Sequence, residues 1–160
     1  AGDTDVKERL LKGTKINGRQ YRNHLDGYNL LPALKGETTK WPREEFLYWT
    51  DDGNVAALRY DDWKITFLKQ DAEGIDVWRQ PYTALRAPMI ANLRMDPFER
   101  ASHESMLYGK WAFERLFILV PAQAIVGEFL ATFNAVPPRQ KPGRFSRAAG
   151  LGQVQERQAE

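Results

Sequence analysis

The chain has 160 residues, of which 42% are hydrophobic and 28% are charged, and its formal net charge is +2. This length suits one domain, and this composition is typical of a folded globular protein rather than a disordered one. The near balance of 23 basic and 21 acidic residues creates no general field for polyanions, so charge predicts no nucleic-acid partner. Because there is no cysteine, disulfides, thiolate metal sites and cysteine nucleophiles are excluded.

The first part of the chain predicts small elements. Residues 3–13 carry a few apolar side chains among charges, which suits either a short amphipathic helix or a disordered lead. Asn17 and Gly18 form a strong signal for a two-residue hairpin turn. Leucines at helical spacing then predict a short helix over residues 28–35, followed by Gly36 as its stop.

The middle of the chain carries the densest strand signal. Segments rich in aromatic and β-branched residues predict a three-stranded antiparallel meander over 45–50, 55–60 and 63–69. Residues 89–93 predict one more short strand. Pro81 and Pro88 confine the extended segments near them to sheet edges or connections, since proline cannot donate to a ladder.

From Ser105 the apolar period becomes helical, and two stripes follow. The first contains Phe113, Leu116, Phe117 and Val120, and the second contains Ala122, Ile125, Val126, Phe129, Leu130 and Phe133. Pro121 predicts either a kinked helix or two helices, and the apolar run over 116–127 is too short for a bilayer span, so no membrane partner is expected. The predicted fold class is α+β, a small antiparallel sheet of three to four strands packed against a C-terminal helical segment.

Two pairs of aspartates, Asp51-Asp52 and Asp61-Asp62, raise the question of a metal site. A calcium loop needs acids at alternating positions and a terminal bidentate glutamate, and this spacing is absent here. Asp52 and Gly53 instead suit a type I′ hairpin turn, and the second pair suits the next turn of the meander. We therefore interpret all four acids as turn residues rather than ligands.

Neither histidine has a partner at a spacing typical of zinc, so we interpret both His24 and His103 as structural or exposed. Asp26 lies close to His24 in sequence, which keeps a functional interpretation of that pair open. The serines are Ser102, Ser105 and Ser146, and none lies in a nucleophile motif. The prediction is that this chain holds no catalytic, cofactor-binding or metal-binding residue.

The C-terminal tail is rich in proline, glycine, arginine and glutamine. Its local basic cluster is best explained as a solvated extension, and consists of Arg139, Lys141, Arg144 and Arg147. The predicted organisation is a lead segment over 1–13, one domain over 14–147 and a disordered tail over 148–160.

Several longer strings carry a family resemblance. They are "HLDGYNLLPALKGE", "PREEFLYWTDDGNVAALRYDDWKITFLKQ", "ANLRMDPFERA" and "LVPAQAIVGEFLATFNAVPPRQKPGRFS". Together they resemble the C-terminal part of bacterial arylsulfatases, members of the sulfatase family in the alkaline phosphatase superfamily, over roughly residues 14–147.

The resemblance implies a parent enzyme that hydrolyses sulfate esters. Such enzymes use a formylglycine made from Cys or Ser in a Cys/Ser-x-Pro-x-Arg motif, beside a divalent cation that is usually calcium. This chain has no such motif. The resemblance therefore places calcium and formylglycine in a catalytic domain outside this sequence, and implies a chain that completes the fold and shapes substrate access without being catalytic alone.

The same resemblance implies partners and a location. The expected partner is the N-terminal sulfatase domain of the same polypeptide, docked on an apolar face for which Trp41, Trp49, Trp63 and Phe117 are candidates. Exposure of that face predicts self-association. Sulfatases are often exported, so a periplasmic or secreted parent is expected. The alternative hypothesis is a stand-alone interaction module that binds a protein or a glycan through an aromatic face.

Overall fold

The computed structural model describes residues 3–138. The helices are α1 Val6–Lys12, α2 Leu31–Leu34, α3 Ala101–Glu104, α4 Tyr108–Phe113 and α5 Leu119–Ala135. The strands are β1 Thr14–Ile16, β2 Arg19–Tyr21, β3 Glu45–Trp49, β4 Val55–Tyr60, β5 Trp63–Lys69 and β6 Thr83–Asn92. Two 3-10 turns span Gly74–Trp78 and Leu116–Ile118. Antiparallel sheets and a C-terminal helix make this the α+β fold that the sequence predicts.

The N-terminal part forms α1 and a separate two-stranded hairpin, β1-β2. Asn17 and Gly18 take φ values of 49° and 81°, as a type I′ turn requires, so the predicted hairpin is confirmed. Of the two alternatives for the lead segment, the short helix is present, and its buried Leu10 accepts a hydrogen bond from the Asn23 amide at 3.0 Å. The helix predicted over 28–35 is present but confined to α2.

The main sheet has four antiparallel strands in the order β3-β4-β5-β6. One row of paired residues crosses it from Leu47 through Leu58 and Ile65 to Ile90. The last three of these are the largest fully buried side chains, so the core lies on this inner face of the sheet. The fourth strand is longer than predicted and includes Pro88, which is tolerated because β6 is an edge strand.

The turn between β3 and β4 differs from the prediction. In the Asp52-Gly53 pair only Gly53 takes a positive φ, at 76°, so the turn is not type I′. Thr50 explains the longer loop, since its carbonyl accepts from the Gly53 amide and its amide donates to the Asn54 carbonyl, both at 2.9 Å. The Thr50 hydroxyl also accepts from the Asn54 amide. The next turn is confirmed, with Tyr60 paired to Trp63 across it.

The helical segment breaks at a different point from the one predicted. Pro121 is the third residue of α5, where its missing N–H removes no intrahelical bond, so it does not divide the helix. The break falls at Glu114 and Arg115, between α4 and the second 3-10 turn. Beyond it, Ile118 and Ala122 pack against the inner face of the sheet and complete the core.

Tyr108 closes the outer edge of the sheet beside β6. Its hydroxyl accepts a hydrogen bond from the Ile90 amide at 3.1 Å and donates one to the Ile90 carbonyl at 2.9 Å. A side chain thus replaces the missing neighbouring strand at a point where unpaired backbone groups would be costly. Trp111 stacks between Tyr108 and Trp63, with centroids 6.0 Å apart in each pair, which ties α4 to the sheet.

Candidate interaction surface

The two acidic pairs lie in different turns of the meander. Asp51 and Asp52 follow β3, whereas Asp61 and Asp62 follow β4, so the pairs sit at opposite ends of β4. A six-residue strand is about 20 Å long, which is too far for one ion to bridge. Within residues 3–138, no group of three or more His, Cys, Asp or Glu side chains could hold a metal ion.

His24 and Asp26 lie close enough together to act as an acid–base pair. The histidine Nδ1 lies 2.9 Å from the Asp26 carboxylate, on the wall of a cavity of about 370 Å³ between α1, β3 and α5. Tyr28 lines the same cavity, and its hydroxyl donates to the Glu45 carboxylate at 2.5 Å. This hydrogen bond, aided by burial, raises the pKa of Tyr28, because ionisation would place a second negative charge beside Glu45.

The arrangement around His24 can orient a base, but it holds no hydroxyl of serine or threonine and no thiol for that base to activate. The residues that line its cavity include no serine, threonine or cysteine. Lys7 and Arg43 both lie 5.1 Å from the Tyr28 ring centroid, and Arg43 also donates a hydrogen bond to the Asp26 carbonyl at 3.0 Å. The cluster therefore ties the N-terminal part to the sheet by cation–π contacts and hydrogen bonds.

His103 lies in a second cavity, of about 290 Å³, over the outer face of the sheet. The same cavity is lined by Lys64, whose ammonium lies 2.7 Å from the Glu99 carboxylate. Ser102 also lines it, and its hydroxyl oxygen is buried without a hydrogen-bond partner. The sequence did not predict that this serine and histidine share a site. They line one cavity with Lys64 because the chain after β6 folds back over the sheet.

The remaining polar predictions fall in two places. Ser105 accepts a hydrogen bond from the Leu107 amide at 3.3 Å and so supports the turn before α4. Ser146, the basic cluster and the predicted tail lie outside the described residues; the cluster consists of Arg139, Lys141, Arg144 and Arg147.

The four aromatic candidates for a docking face separate into two groups. Trp63 belongs to the core cluster, and Trp49 packs against Phe129 and Phe133 with ring centroids 5.8 and 6.1 Å away. Trp41 and Phe117 are exposed without such packing, the latter with 67% of its surface accessible, and Trp49 still keeps 40% of its surface accessible. Of the four, only Trp63 is not exposed to a partner.

The first predicted helical stripe is exposed, and we call it the outer stripe: Phe113, Leu116, Phe117 and Val120. All four side chains are exposed, with 75% for Phe113 and 71% for Val120. The second stripe takes the opposite role, because Ala122, Ile125 and Val126 join or pack against the core. Sequence periodicity predicts both stripes but does not say which one faces the sheet.

The 20-residue helical stretch Leu116–Ala135 corrects one sequence prediction. With 20 residues and a mean hydropathy of 1.8, this stretch is long and apolar enough to cross a membrane, judged by length and composition alone. The sequence analysis ended the apolar run at residue 127, but the helix continues because Pro121 sits in its first turn. Only 11% of its most apolar 18-residue segment is buried, although Ile118 and Ala122 pack on the sheet.

An open cavity of about 830 Å³ lies beside β3 and was not predicted from the sequence; we call it the aromatic trough. Its walls include Trp41, Phe46 and Tyr48, together with Arg43 and Arg59. Phe46 and Tyr48 meet edge to face with centroids 4.9 Å apart. The available signal was their alternation along β3, which places both on the outer face of the sheet.

Comparison with known proteins identifies no relative: neither a protein-family model nor a curated protein matches this chain.

Proposed function

We propose that this chain is the C-terminal subdomain of an arylsulfatase-like sulfuric ester hydrolase, and that it completes the fold of that enzyme without being catalytic alone. The observation that carries the proposal is the outer stripe, an apolar helix surface that the described residues leave uncovered. An apolar surface rimmed by polar residues is typical of an interaction site.

The arrangement of layers supports this role. The start of α5 and the 3-10 turn before it contact the inner face of the four-stranded sheet through Ile118 and Ala122. The outer stripe runs from Phe113 at the end of α4 through that turn to Val120, and it is exposed. A larger domain docked on the outer stripe would place this stretch between two packed layers, which is how apolar helix surfaces are normally buried. The N-terminal sulfatase domain of the same polypeptide is the proposed occupant.

The chemistry of the described residues agrees with a supporting role. Formylglycine supplies the nucleophile and calcium the electrophilic charge in the proposed parent, and the side chains of residues 3–138 offer no cluster that fits such a cation. The cavity of the His24–Asp26 pair is lined by no serine, threonine or cysteine. We therefore assign the hydrolytic chemistry to the catalytic domain and none of its steps to this chain.

Hydrolysis of a chromogenic aryl sulfate tests the proposal. The purified chain, with and without calcium, is compared with the polypeptide of the complete reading frame. We expect no turnover by the chain and turnover by the longer polypeptide. A longer polypeptide whose motif Cys or Ser is replaced by Ala controls for a contaminating sulfatase. Turnover by the chain alone, or a reading frame without any Cys/Ser-x-Pro-x-Arg segment, would contradict the proposal.

The aromatic trough favours a second candidate function, a stand-alone module that binds a glycan. Aromatic rings offer flat apolar faces beside polar groups, and Arg43 and Arg59 can donate hydrogen bonds to hydroxyl or sulfate oxygens. A titration with soluble oligosaccharides distinguishes the candidates. This function predicts binding that Trp41→Ala abolishes and Trp78→Ala retains, since Trp78 is 81% exposed but lies outside the trough. No saturable binding, or equal loss in both variants, would contradict it.

A further inference from the structure

The outer stripe has the composition of an interface centre rather than of an ordinary surface. Two phenylalanines, a leucine and a valine follow one another at helical spacing, and charged residues are absent from the stripe itself. Aromatic residues are enriched, and charged ones depleted, at the centres of protein interfaces. The area of this surface and the charges at its rim then indicate what fits it.

The exposed area suits a protein partner of similar size. With fully exposed Phe contributing about 200 Å² and Leu and Val somewhat less, the outer stripe presents roughly 500 Å² of apolar surface. A stable interface buries about 800 Å² on each partner, including its polar rim. The stripe supplies more than half of that area, so a rim of neighbouring side chains completes a standard interface.

The stripe also allows a two-fold pairing. Phe113 ends α4, Leu116 and Phe117 lie in the following 3-10 turn, and Val120 lies in the first turn of α5. A two-fold axis through the middle of the stripe brings the 3-10 turns of two copies together, and symmetry repeats every contact that Phe113 or Val120 makes with the other copy.

The charges beside the stripe permit such a pairing. Lys110 and Glu114 are exposed and lie 4.0 Å apart as an i,i+4 ion pair. Arg115 contacts the Glu114 carboxylate at 3.5 Å, and its guanidinium carbon lies 4.7 Å from the Trp111 ring centroid. With both signs represented, the rim does not present a single charge that would repel its own copy.

We infer that this chain, when alone, forms a symmetric dimer in which the outer stripes of two copies pack against each other. The inference goes beyond the proposed function and does not need a sulfatase parent. If the parent exists, its catalytic domain and a second copy compete for the same surface. The dimer is then a property of the separate chain.

Sedimentation velocity of the full chain over a dilution series tests the inference. We expect a monomer–dimer equilibrium that Val120→Glu weakens by about tenfold or more in Kd, because it buries a charge against the apolar stripe of the other copy. Trp78→Glu is the matched control, since it removes a larger exposed apolar side chain from a different element. The control should change Kd by less than about twofold.

Other outcomes have defined meanings. Phe117→Ser, with circular dichroism to verify folding, replaces Val120→Glu if that variant does not fold. A monomer at all concentrations, equal weakening by the control, or open-ended oligomers would each overturn the inference. So would a monomeric chain that floats with phosphatidylcholine–phosphatidylglycerol vesicles, because the stripe would then be a lipid-binding surface. None of these outcomes depends on sulfatase activity, so this inference and the proposed function fail separately.

Discussion

The two sides of α5 share their chemistry but differ in environment. Ala122 is 2% exposed and packs on the inner face of the sheet, whereas Val120, two residues earlier, is 71% exposed. Both belong to one helical stretch with a mean hydropathy of 1.8. The helix is apolar on both sides, so either side could be buried. The position of the sheet determines which side is buried in this fold.

This difference indicates where free energy is still to be gained. Full burial of a Val, Leu or Phe side chain stabilises by about 1.5–3 kcal/mol. The sheet-facing side of the stretch Leu116–Ala135 already contributes such a term to folding, through Ile118 of the 3-10 turn and Ala122 of α5. The apolar side chains of the outer stripe are still exposed, so a partner that covers them gains the free energy of their burial on binding.

Enlarging an alanine on each side of α5 is the sharpest test of this difference. Ala122→Leu inserts three carbon atoms between the helix and the sheet, and we expect it to lower the free energy of unfolding by about 1–3 kcal/mol. Ala124→Leu makes the same chemical change at an exposed position of the same helix, and its effect should stay within about 0.5 kcal/mol. Urea denaturation of both variants measures the two values. Equal effects would mean that the two sides are packed alike.

Tyr108→Phe tests how α4 is held to the sheet edge. The change removes one donor and one acceptor from the buried Ile90 backbone and leaves the aromatic stacking on Trp111 in place. We expect a loss of about 1–2 kcal/mol, because water in the cavities that Tyr108 lines can replace part of the bonding. Thermal unfolding followed by circular dichroism provides the measurement. An unchanged Tm would show that the Ile90 groups do not need the hydroxyl.

The smallest change in unfolding free energy is expected at Asp71, which is far from α5 in sequence. It shows how large the effect of an ordinary surface residue is. Hydrogen bonds from Lys69 and Thr83 hold the pKa of Asp71 below its ordinary value of 3.8. A lowered pKa in the folded state stabilises above pH 3.8, and this stabilisation is lost as the pH falls through the folded-state pKa. The difference in unfolding free energy between the chain and Asp71→Asn should therefore shrink as the pH falls below that value. A difference independent of pH would contradict this account.

Local patterns predicted most of the sheet because the deciding chemistry is local. Strand β4 occupies the predicted residues, since alternation and flanking turn residues determine both ends. The same logic failed at Asp52-Gly53, where the Thr50 side chain and carbonyl build a longer loop. It also failed at Pro121, because the position of proline within a helix, not its presence, decides whether the helix breaks.

The candidate sites were less predictable because they depend on contacts between distant segments. The outer stripe was visible as a periodic pattern, but its exposure depends on which stripe meets Leu58 and Ile65. The cavity that joins Ser102 to Lys64 depends on the chain after β6 folding back over the sheet. No local pattern in the sequence encodes such a juxtaposition.

Thiol labelling at position 120 tests the central claim, that the outer stripe is a docking surface for another part of a longer polypeptide. The chain has no cysteine, so Val120→Cys gives a single reporter, and Ala122→Cys serves as the buried control. The measurement is the labelling rate, read by peptide mass at a concentration where the chain sediments as a monomer. The account predicts rapid labelling of position 120 in the separate chain and strong protection in the longer polypeptide, with position 122 protected in both. Equally rapid labelling of position 120 in the longer polypeptide would contradict it.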